Sequence, residues 1–231
     1  MRELVLDTET TGLSPADGDR IVEIGAVELI NHIPTGNTYH QYINPERDMP
    51  TEAFNVHGLS EEFLRGHPVF EDIAEAFLEF VGDGVLVIHN AKFDMGFINA
   101  ELSFLKRPSI PNEQVLDTLE IARKKHPMGP NSLDALCRRY GVDNSGRTKH
   151  GALLDSELLA DVYIELIGGR QHGLAIDQNV TQSGQPTINS KARNIKPRPE
   201  PLPSRLSDEE RAAHDKFIKS LSGDVLWAQA K

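Results

Sequence analysis

Short apolar runs in the first 45 residues predict a group of β-strands. Residues 2–7 (RELVLD) are apolar on both faces of an extended chain, which indicates a strand buried in the middle of a sheet. Residues 21–30 and 38–43 are strand-like segments on either side of a turn-rich stretch, NHIPTGN. We therefore expect the first three strands to form an antiparallel meander.

Helical spacing of apolar residues dominates from residue 69 onward. Val69, Ile73, Phe77 and Phe80 recur at intervals of three and four, as on the buried face of a helix. A meander followed by alternating helices and strands indicates an α/β fold with a mixed sheet flanked by helices. The predicted helices cover residues 69–81, 92–106, 132–140 and 152–167, and a short strand is predicted at 85–89.

The pattern changes after Gly169. Residues 178–204 contain five prolines and few apolar side chains, so this segment cannot recover the entropy of ordering and is expected to be a disordered, flexible linker. Ser207 and Glu210 form a capping-box pattern that predicts a short helix to about Leu221. The only tryptophan of the chain follows this helix. We therefore interpret residues 205–231 as a segment that docks on a partner protein. A helix folded back on the main body is the alternative.

Charge and composition narrow the function classes. The 231 residues carry a net charge of -11, which argues against a tight general nucleic-acid binder. Residues 178–231 hold 9 basic and 6 acidic side chains, against 15 and 29 in the remainder, so an acidic body carries a basic tail. The chain lacks a long apolar run and a signal-peptide pattern, and we expect no membrane contact. A single cysteine excludes a zinc site of several thiolates, and we expect a cytoplasmic location.

Four carboxylates stand where the pattern predicts burial. Asp7 and Glu9 lie two residues apart at the end of the first strand, so both side chains leave the same face. Asp94 and Asp155 each precede apolar residues by three and four positions, which directs them from a helix toward the interior. Either helix acid by itself could instead cap its helix N-terminus.

Buried carboxylates need partners or give up their charge. No lysine or arginine shares the helical faces of Asp94 and Asp155. Oxygen ligands without thiolates suit a hard divalent cation, Mg²⁺ or Mn²⁺, and several shared carboxylates suit two such ions, as in phosphodiester hydrolysis. Asp155→Ala is expected to abolish hydrolysis because it removes a metal ligand. Because like charges crowd at this site, the same change is expected to raise the thermal stability of the metal-free protein.

His150 is the candidate general base. It follows the polar run 144–149 and precedes Asp155 by five residues, so we expect it on the loop that enters the helix. A histidine of ordinary pKa is mostly neutral at pH 7 and can take a proton from an attacking water. A solvated loop histidine is the alternative interpretation.

Three segments, in this order, resemble the exonuclease motifs of the DEDDh family. The likeness covers about residues 2–170 and implies an exonuclease domain, residues 1–170, with a ribonuclease H-like sheet of five strands. It also implies 3′→5′ removal of deoxynucleoside 5′-monophosphates, with two metal ions held by the four acids and a histidine as general base. The motifs are LVLDTETTGL with Asp7 and Glu9, HNAKFD with Asp94, and HGALLD with His150 and Asp155.

Within that family the chain is similar to the proofreading subunits of bacterial DNA polymerase III. This likeness implies a pocket for the 3′-terminal nucleotides of DNA, in which Leu13 would act as a wedge between bases. Ordinary packing is the alternative for each of the apolar contacts. The implied substrate-binding residues are Asp7, Thr8, Glu9, Leu13, Val56, His57, Phe93, His150 and Asp155.

Two tail segments extend the likeness. Within residues 171–177, the stretch 171–176 (QHGLAI) resembles a sliding-clamp-binding peptide, and residues 205–231 are similar to a segment that docks on the polymerase catalytic subunit. Tethering would concentrate the exonuclease at the primer end without tight DNA binding. An RNA-trimming 3′→5′ exoribonuclease is one alternative, and a structural bridge between polymerase and clamp is another.

Overall fold

A mixed five-stranded sheet is the centre of the fold. The structure, a computed structural model, describes residues 1–147, 149–168 and 207–220. The sheet has the order β3-β2-β1-β4-β5, in which β1, β2 and β3 pair antiparallel and β4 and β5 continue parallel to β1. The strands are β1 (Arg2–Thr10), β2 (Ile21–Ile30), β3 (Ile33–Tyr42), β4 (Val85–Ile88) and β5 (Val115–Asp117). This arrangement confirms the predicted fold class and the meander.

The third strand begins earlier than its sequence suggested. β3 starts at Ile33 rather than at residue 38, because the connection to β2 is only two residues long. Those residues, Asn31 and His32, both have positive φ (50° and 65°), as a tight hairpin turn requires. The polar residues that looked like a loop therefore belong to an exposed edge strand.

Among the described residues, seven α-helices lie in the first unit of the chain and an eighth lies in the second unit. The four helices predicted for the body are confirmed to within two residues at each end. The helices are α1 (Thr51–His57), α2 (Glu61–Leu64), α3 (Phe70–Val81), α4 (Ala91–Phe104), α5 (Thr118–Lys125), α6 (Leu133–Tyr140), α7 (Ala152–Leu166) and α8 (Asp208–Ser220).

Helices cover both faces of β1, which explains why this strand is apolar throughout. Leu4 and Leu6 are fully buried in a cluster with residues of α3 and α4, whereas Val5 is buried on the opposite face with Leu159 and Tyr163 of α7. The strand therefore delivers the acids at its carboxyl end between the starts of two helices. That position sets the geometry of the site.

A close approach at Gly25 brings the first turn of α7 onto the sheet. Gly25 is the register partner of Asp7, and a Cβ added there would lie 2.2 Å from the backbone nitrogen of Leu153. Real Cβ atoms do not approach backbone so closely, so any side chain at this position would push α7 away. Glycine at position 25 thus permits α7 to hold Asp155 beside β1.

Replacing Gly25 by alanine is expected to destabilise the protein and to impair the site. Overpacking of this kind costs about 1–3 kcal/mol, which corresponds to a fall in melting temperature of roughly 3–10 °C. Thermal unfolding measures the effect. Gly96→Ala is the matched control, because nothing lies within 4 Å of a Cβ added to that α4 glycine, and it should raise stability by about 0.5–1 kcal/mol. Equal melting temperatures for Gly25→Ala and the parent protein would contradict the close approach.

The C-terminal helix begins as its capping box predicts. The backbone N–H of Glu210 donates to Ser207 Oγ (3.2 Å), and the backbone N–H of Ser207 donates to Glu210 Oε2 (2.9 Å). Residues 171–177 and 178–204, the expected clamp peptide and linker, lie outside the described residues, as do both ends of the segment 205–231. None of the helices in the described ranges is long and apolar enough to cross a membrane.

Candidate active site

The four sequence-predicted acids meet at the carboxyl end of β1. Asp94, in the first turn of α4, and Asp155, in the first turn of α7, are 3% and 2% exposed, which confirms that both point to the interior. Glu9 is 8% exposed, and Asp7 is partly buried. A cavity of about 350 Å³ is lined by all four acids together with His150.

The surroundings of three of these acids disfavour the ionised carboxylate. Burial, reinforced by the charges of Asp94, Glu9 and Asp155, raises the pKa of Asp7 well above its ordinary value. Burial also raises the pKa of Glu9 to about 8 and that of Asp94 to about 7, although Thr8 donates two hydrogen bonds to Asp94 Oδ1, at 2.7 and 3.1 Å. The protein by itself does not compensate this concentration of negative charge.

Two buried acids on β1 differ in whether hydrogen-bond donors surround their carboxylates. Glu3 is fully buried and accepts hydrogen bonds from Tyr163 Oη (2.6 Å) and the backbone N–H of His32 (3.0 Å). Glu9 Oε1 is also buried, but it accepts no hydrogen bond from any residue that the structure describes. An unpartnered buried carboxylate oxygen costs free energy unless a further group binds it. This oxygen is therefore suited to coordinate a cation.

Asp155 differs from the other three acids because it has a basic partner. Arg147 donates to both carboxylate oxygens, at 2.5 and 2.6 Å, and its Nη1 also pairs with Asp134 at 2.8 Å. Burial would raise the pKa of Asp155, but hydrogen bonds from His150 and Arg147 and their charge hold that pKa below its ordinary value. We therefore expect that replacing Asp155 destabilises the metal-free protein, the opposite of what crowding of like charges predicts.

The sequence pattern did not predict Arg147, because helical periodicity indicates only partners that share a helix face with Asp155. Arg147 lies on the loop before α7, three residues from His150, and its side chain is only 8% exposed. Loop residues carry no periodic signal for the direction of a side chain. An arginine three residues before a candidate base was the one available hint.

His150 lies on the loop that enters α7, as expected. Its Nδ1 lies 3.3 Å from Asp155 Oδ2 and 2.8 Å from Arg147 Nη2. Its side chain is 48% exposed, so solvent and a ligand can reach the ring. Glu9, His150 and Asp155 each offer a ligand atom within 4.8 Å of the others.

A second cavity adjoins the first. Its volume is about 470 Å³, and it shares Thr8, Glu9 and Phe93 with the cavity of the acids. Leu13, on its rim, is 85% exposed, so its side chain is accessible from solvent. Val56 and His57, at the end of α1, complete the set of expected substrate-binding residues around this cavity.

Comparison with known proteins identifies the family. The sequence model of the Exonuclease family (RNase_T) matches residues 4–163. DNA polymerase III subunit epsilon of Rickettsia felis is 48% identical over 231 residues, covering 96% of this chain and 97% of that protein. The chain belongs to the exonuclease family of DNA polymerase III epsilon subunits. The Escherichia coli K12 member is 43% identical and covers 98% of this chain.

Solved structures show the same fold for this family member. Exonuclease X in complex with 5′ overhanging duplex DNA aligns with a TM-score of 0.57 at 26% identity, covering 71% of this chain and 90% of that one. The nuclease domain of 3′hExo, a DEDDh family member bound to rAMP, aligns with a TM-score of 0.63 at 17% identity, covering 72% and 91%. The ribonuclease H-like exonuclease fold expected from the motifs is thereby confirmed.

Proposed function

We propose that this protein is a 3′→5′ DNA exonuclease that proofreads for a replicative DNA polymerase and releases deoxynucleoside 5′-monophosphates. The observation that carries the proposal is the convergence of four acids and a histidine on one cavity that opens into a second, partly apolar one. The first cavity suits a scissile phosphate with its metal ions, and the second suits the last bases of a strand. Relatives named DNA polymerase III subunit epsilon span nearly the whole chain.

The four acids are proposed to hold two divalent cations, Mg²⁺ or Mn²⁺. The buried, unpartnered Glu9 Oε1 and the raised pKa values of Asp7, Glu9 and Asp94 support this assignment. When bound, such ions activate a water and stabilise the leaving oxygen in phosphodiester hydrolysis. Oxygen-only ligands favour these hard cations over zinc.

His150 is proposed as the general base. Its half-exposed ring lies beside Asp155, whose carboxylate can orient the imidazole. The ring can therefore accept the proton of the attacking water and pass it to solvent. Asp155 thus serves both as a cation ligand and as the partner of the base.

The second cavity is proposed to hold the 3′-terminal nucleotides. Thr8, Leu13, Val56, His57 and Phe93 surround it and share its boundary with the acids. An exposed leucine at the rim can insert beside an unpaired base, and Phe93 offers a ring face for stacking. We propose a frayed or single-stranded 3′ end as the form of DNA that this cavity holds.

The polymerase catalytic subunit is the proposed partner of residues 205–231. Helix α8, the described part of this segment, exposes Phe217 at 60%, and the relatives that match nearly the whole chain are named as polymerase subunits. A sliding clamp is the proposed partner of residues 171–176 on their sequence pattern alone. A cytoplasmic location belongs to the same proposal, because bacterial replication takes place there.

Phe217→Ser in the full chain is expected to weaken binding to the polymerase catalytic subunit at least about tenfold, since buried aromatic anchors dominate interface energies. Exonuclease activity on free single-stranded DNA should not change. Binding is measured by titration of the purified polymerase subunit, with Lys216→Ser on the same helix as control. Parental affinity in Phe217→Ser would show that this face of α8 is not the docking surface.

Digestion of matched single strands tests the substrate class. DNA and RNA of one sequence, each labelled at the 5′ end, are incubated with the full chain and Mg²⁺. The proposal predicts a DNA ladder that shortens from the 3′ end and slower digestion of RNA. Preferential digestion of RNA would favour an RNA-trimming enzyme, and cleavage of neither strand would favour a structural bridge.

A further inference from the structure

Two contacts join the loop that carries His150 to helix α1. The backbone N–H of His150 donates to the carbonyl of Val56 at 3.2 Å. The ammonium group of the preceding residue, Lys149, donates to the carbonyl of Asn55 at 2.7 Å. Within the part of the chain that the structure describes, these are the hydrogen bonds between α1 and this loop.

Lys149 fits the end of α1 in three ways. Its ammonium group reaches a carbonyl of the last turn, where the helix dipole favours positive charge. It also lies 5.9 Å from the centre of the Phe54 ring, over its face. A Cβ added at Gly58, which ends the helix, would be 3.7 Å from Lys149 Cγ and Cδ, so the aliphatic stem runs along the helix end.

The same helix end forms one side of the proposed nucleotide pocket. Val56 accepts the hydrogen bond from the His150 backbone and also lines the second cavity, together with His57. A nucleobase bound against Val56 and His57 would therefore contact the same segment of α1 to which the His150 loop is hydrogen-bonded. Without Lys149, the His150 loop would keep a single neutral hydrogen bond to that segment.

We propose that Lys149 is a positioning residue that fastens the loop of the general base to the wall of the nucleotide pocket, so that His150 is held in register with the bound 3′ end. This inference rests on the proposed function of that site. It assigns Lys149 a role through His150 and not through contact with the substrate. Small displacements of a reacting group lower turnover more than they lower binding.

Steady-state digestion of single-stranded DNA by the full chain separates these effects. Lys149→Met keeps the aliphatic stem and removes the charged donor; we expect kcat to fall about fivefold to tenfold, with KM within about twofold. Lys149→Arg should restore at least half of the lost kcat. Lys124→Met, an exposed lysine on α5, removes the same charge elsewhere and should match the parent. Parental kcat in Lys149→Met, or a raised KM at parental kcat, would overturn the proposal, and the second result would indicate a DNA phosphate contact.

Amide hydrogen exchange at His150 provides a readout that does not depend on activity. In the metal-free full chain we expect this amide to exchange about fivefold faster in Lys149→Met than in the parent or in Lys124→Met. Unchanged exchange would overturn the fastening role whatever the activity. If the parent and Lys124→Met both leave DNA intact while exchange at His150 is accelerated, the fastening stands and the proposed function fails.

Discussion

Glu9→Gln is expected to abolish exonuclease activity and at the same time to stabilise the metal-free protein. Loss of a cation ligand removes several kcal/mol of transition-state stabilisation, so turnover should fall about 1,000-fold. The amide keeps the shape of the side chain but carries no charge. Because burial raises the pKa of Glu9 to about 8, ionised Glu9 opposes folding near neutral pH, and the variant should gain about 2–3 kcal/mol at pH 7.

The pH dependence gives the sign of this effect. An unfolded Glu9 ionises near its ordinary value of 4.5, whereas folding raises the pKa to about 8, so the folded state binds the extra proton between these values. The free energy of unfolding of the metal-free parent should therefore fall as pH rises from about 4.5 to about 8, relative to Glu9→Gln. Melting temperatures in EDTA at pH 5 and pH 8 measure it, with a gap of roughly 4–10 °C expected at pH 8. A gap that closes as pH rises would contradict the assignment.

Asp155→Asn is expected to abolish activity to the same extent but to destabilise the metal-free protein. The amide cannot neutralise Arg147, and among the described residues its buried guanidinium would keep only the salt bridge to Asp134. Breaking a buried pair by removing one partner costs about 3 kcal/mol, or roughly 6–12 °C in melting temperature. Thermal unfolding in EDTA at pH 7 measures it.

Asp134→Asn is the matched control for this prediction. Its carboxylate pairs with the same arginine but is 47% exposed, so the loss of stability should be below about 1 kcal/mol. Equal losses of activity with opposite thermal effects would distinguish Glu9 from Asp155. In the described part of the chain, Asp155 forms a salt bridge with Arg147 and Glu9 forms none. A rise in the melting temperature of Asp155→Asn would show that Arg147 does not stabilise this carboxylate.

The acids could be predicted from sequence because each lies within a periodic element. Strand alternation places Asp7 and Glu9 on one face, and helical spacing turns Asp94 and Asp155 inward. The acids of β1 and α4 converge because β1 and β4 run parallel, an arrangement that the order of the elements already implies. The resemblance to a known family then supplied roles that spacing alone left open.

Short secondary-structure elements and the contacts of loop side chains could not be predicted from the hydrophobic pattern. Helix α1 and strand β5 span seven and three residues, too few for a hydrophobic period to emerge. Arg147 reaches Asp155 from a loop, and Lys149 meets α1 across 94 residues of chain. These contacts depend on tertiary packing, so hydrophobic periodicity did not indicate the cation beside Asp155.

The measurement that most directly tests the central claim is release of a 3′-terminal label from single-stranded DNA in a single turnover. The full chain with Mg²⁺ should release the label as a deoxynucleoside 5′-monophosphate before any internal product forms, and EDTA should stop the release. His150→Ala should slow it about 100-fold to 10,000-fold, as loss of a general base does. Release from the 5′ end or at internal positions, or an undiminished rate in His150→Ala, would contradict the account.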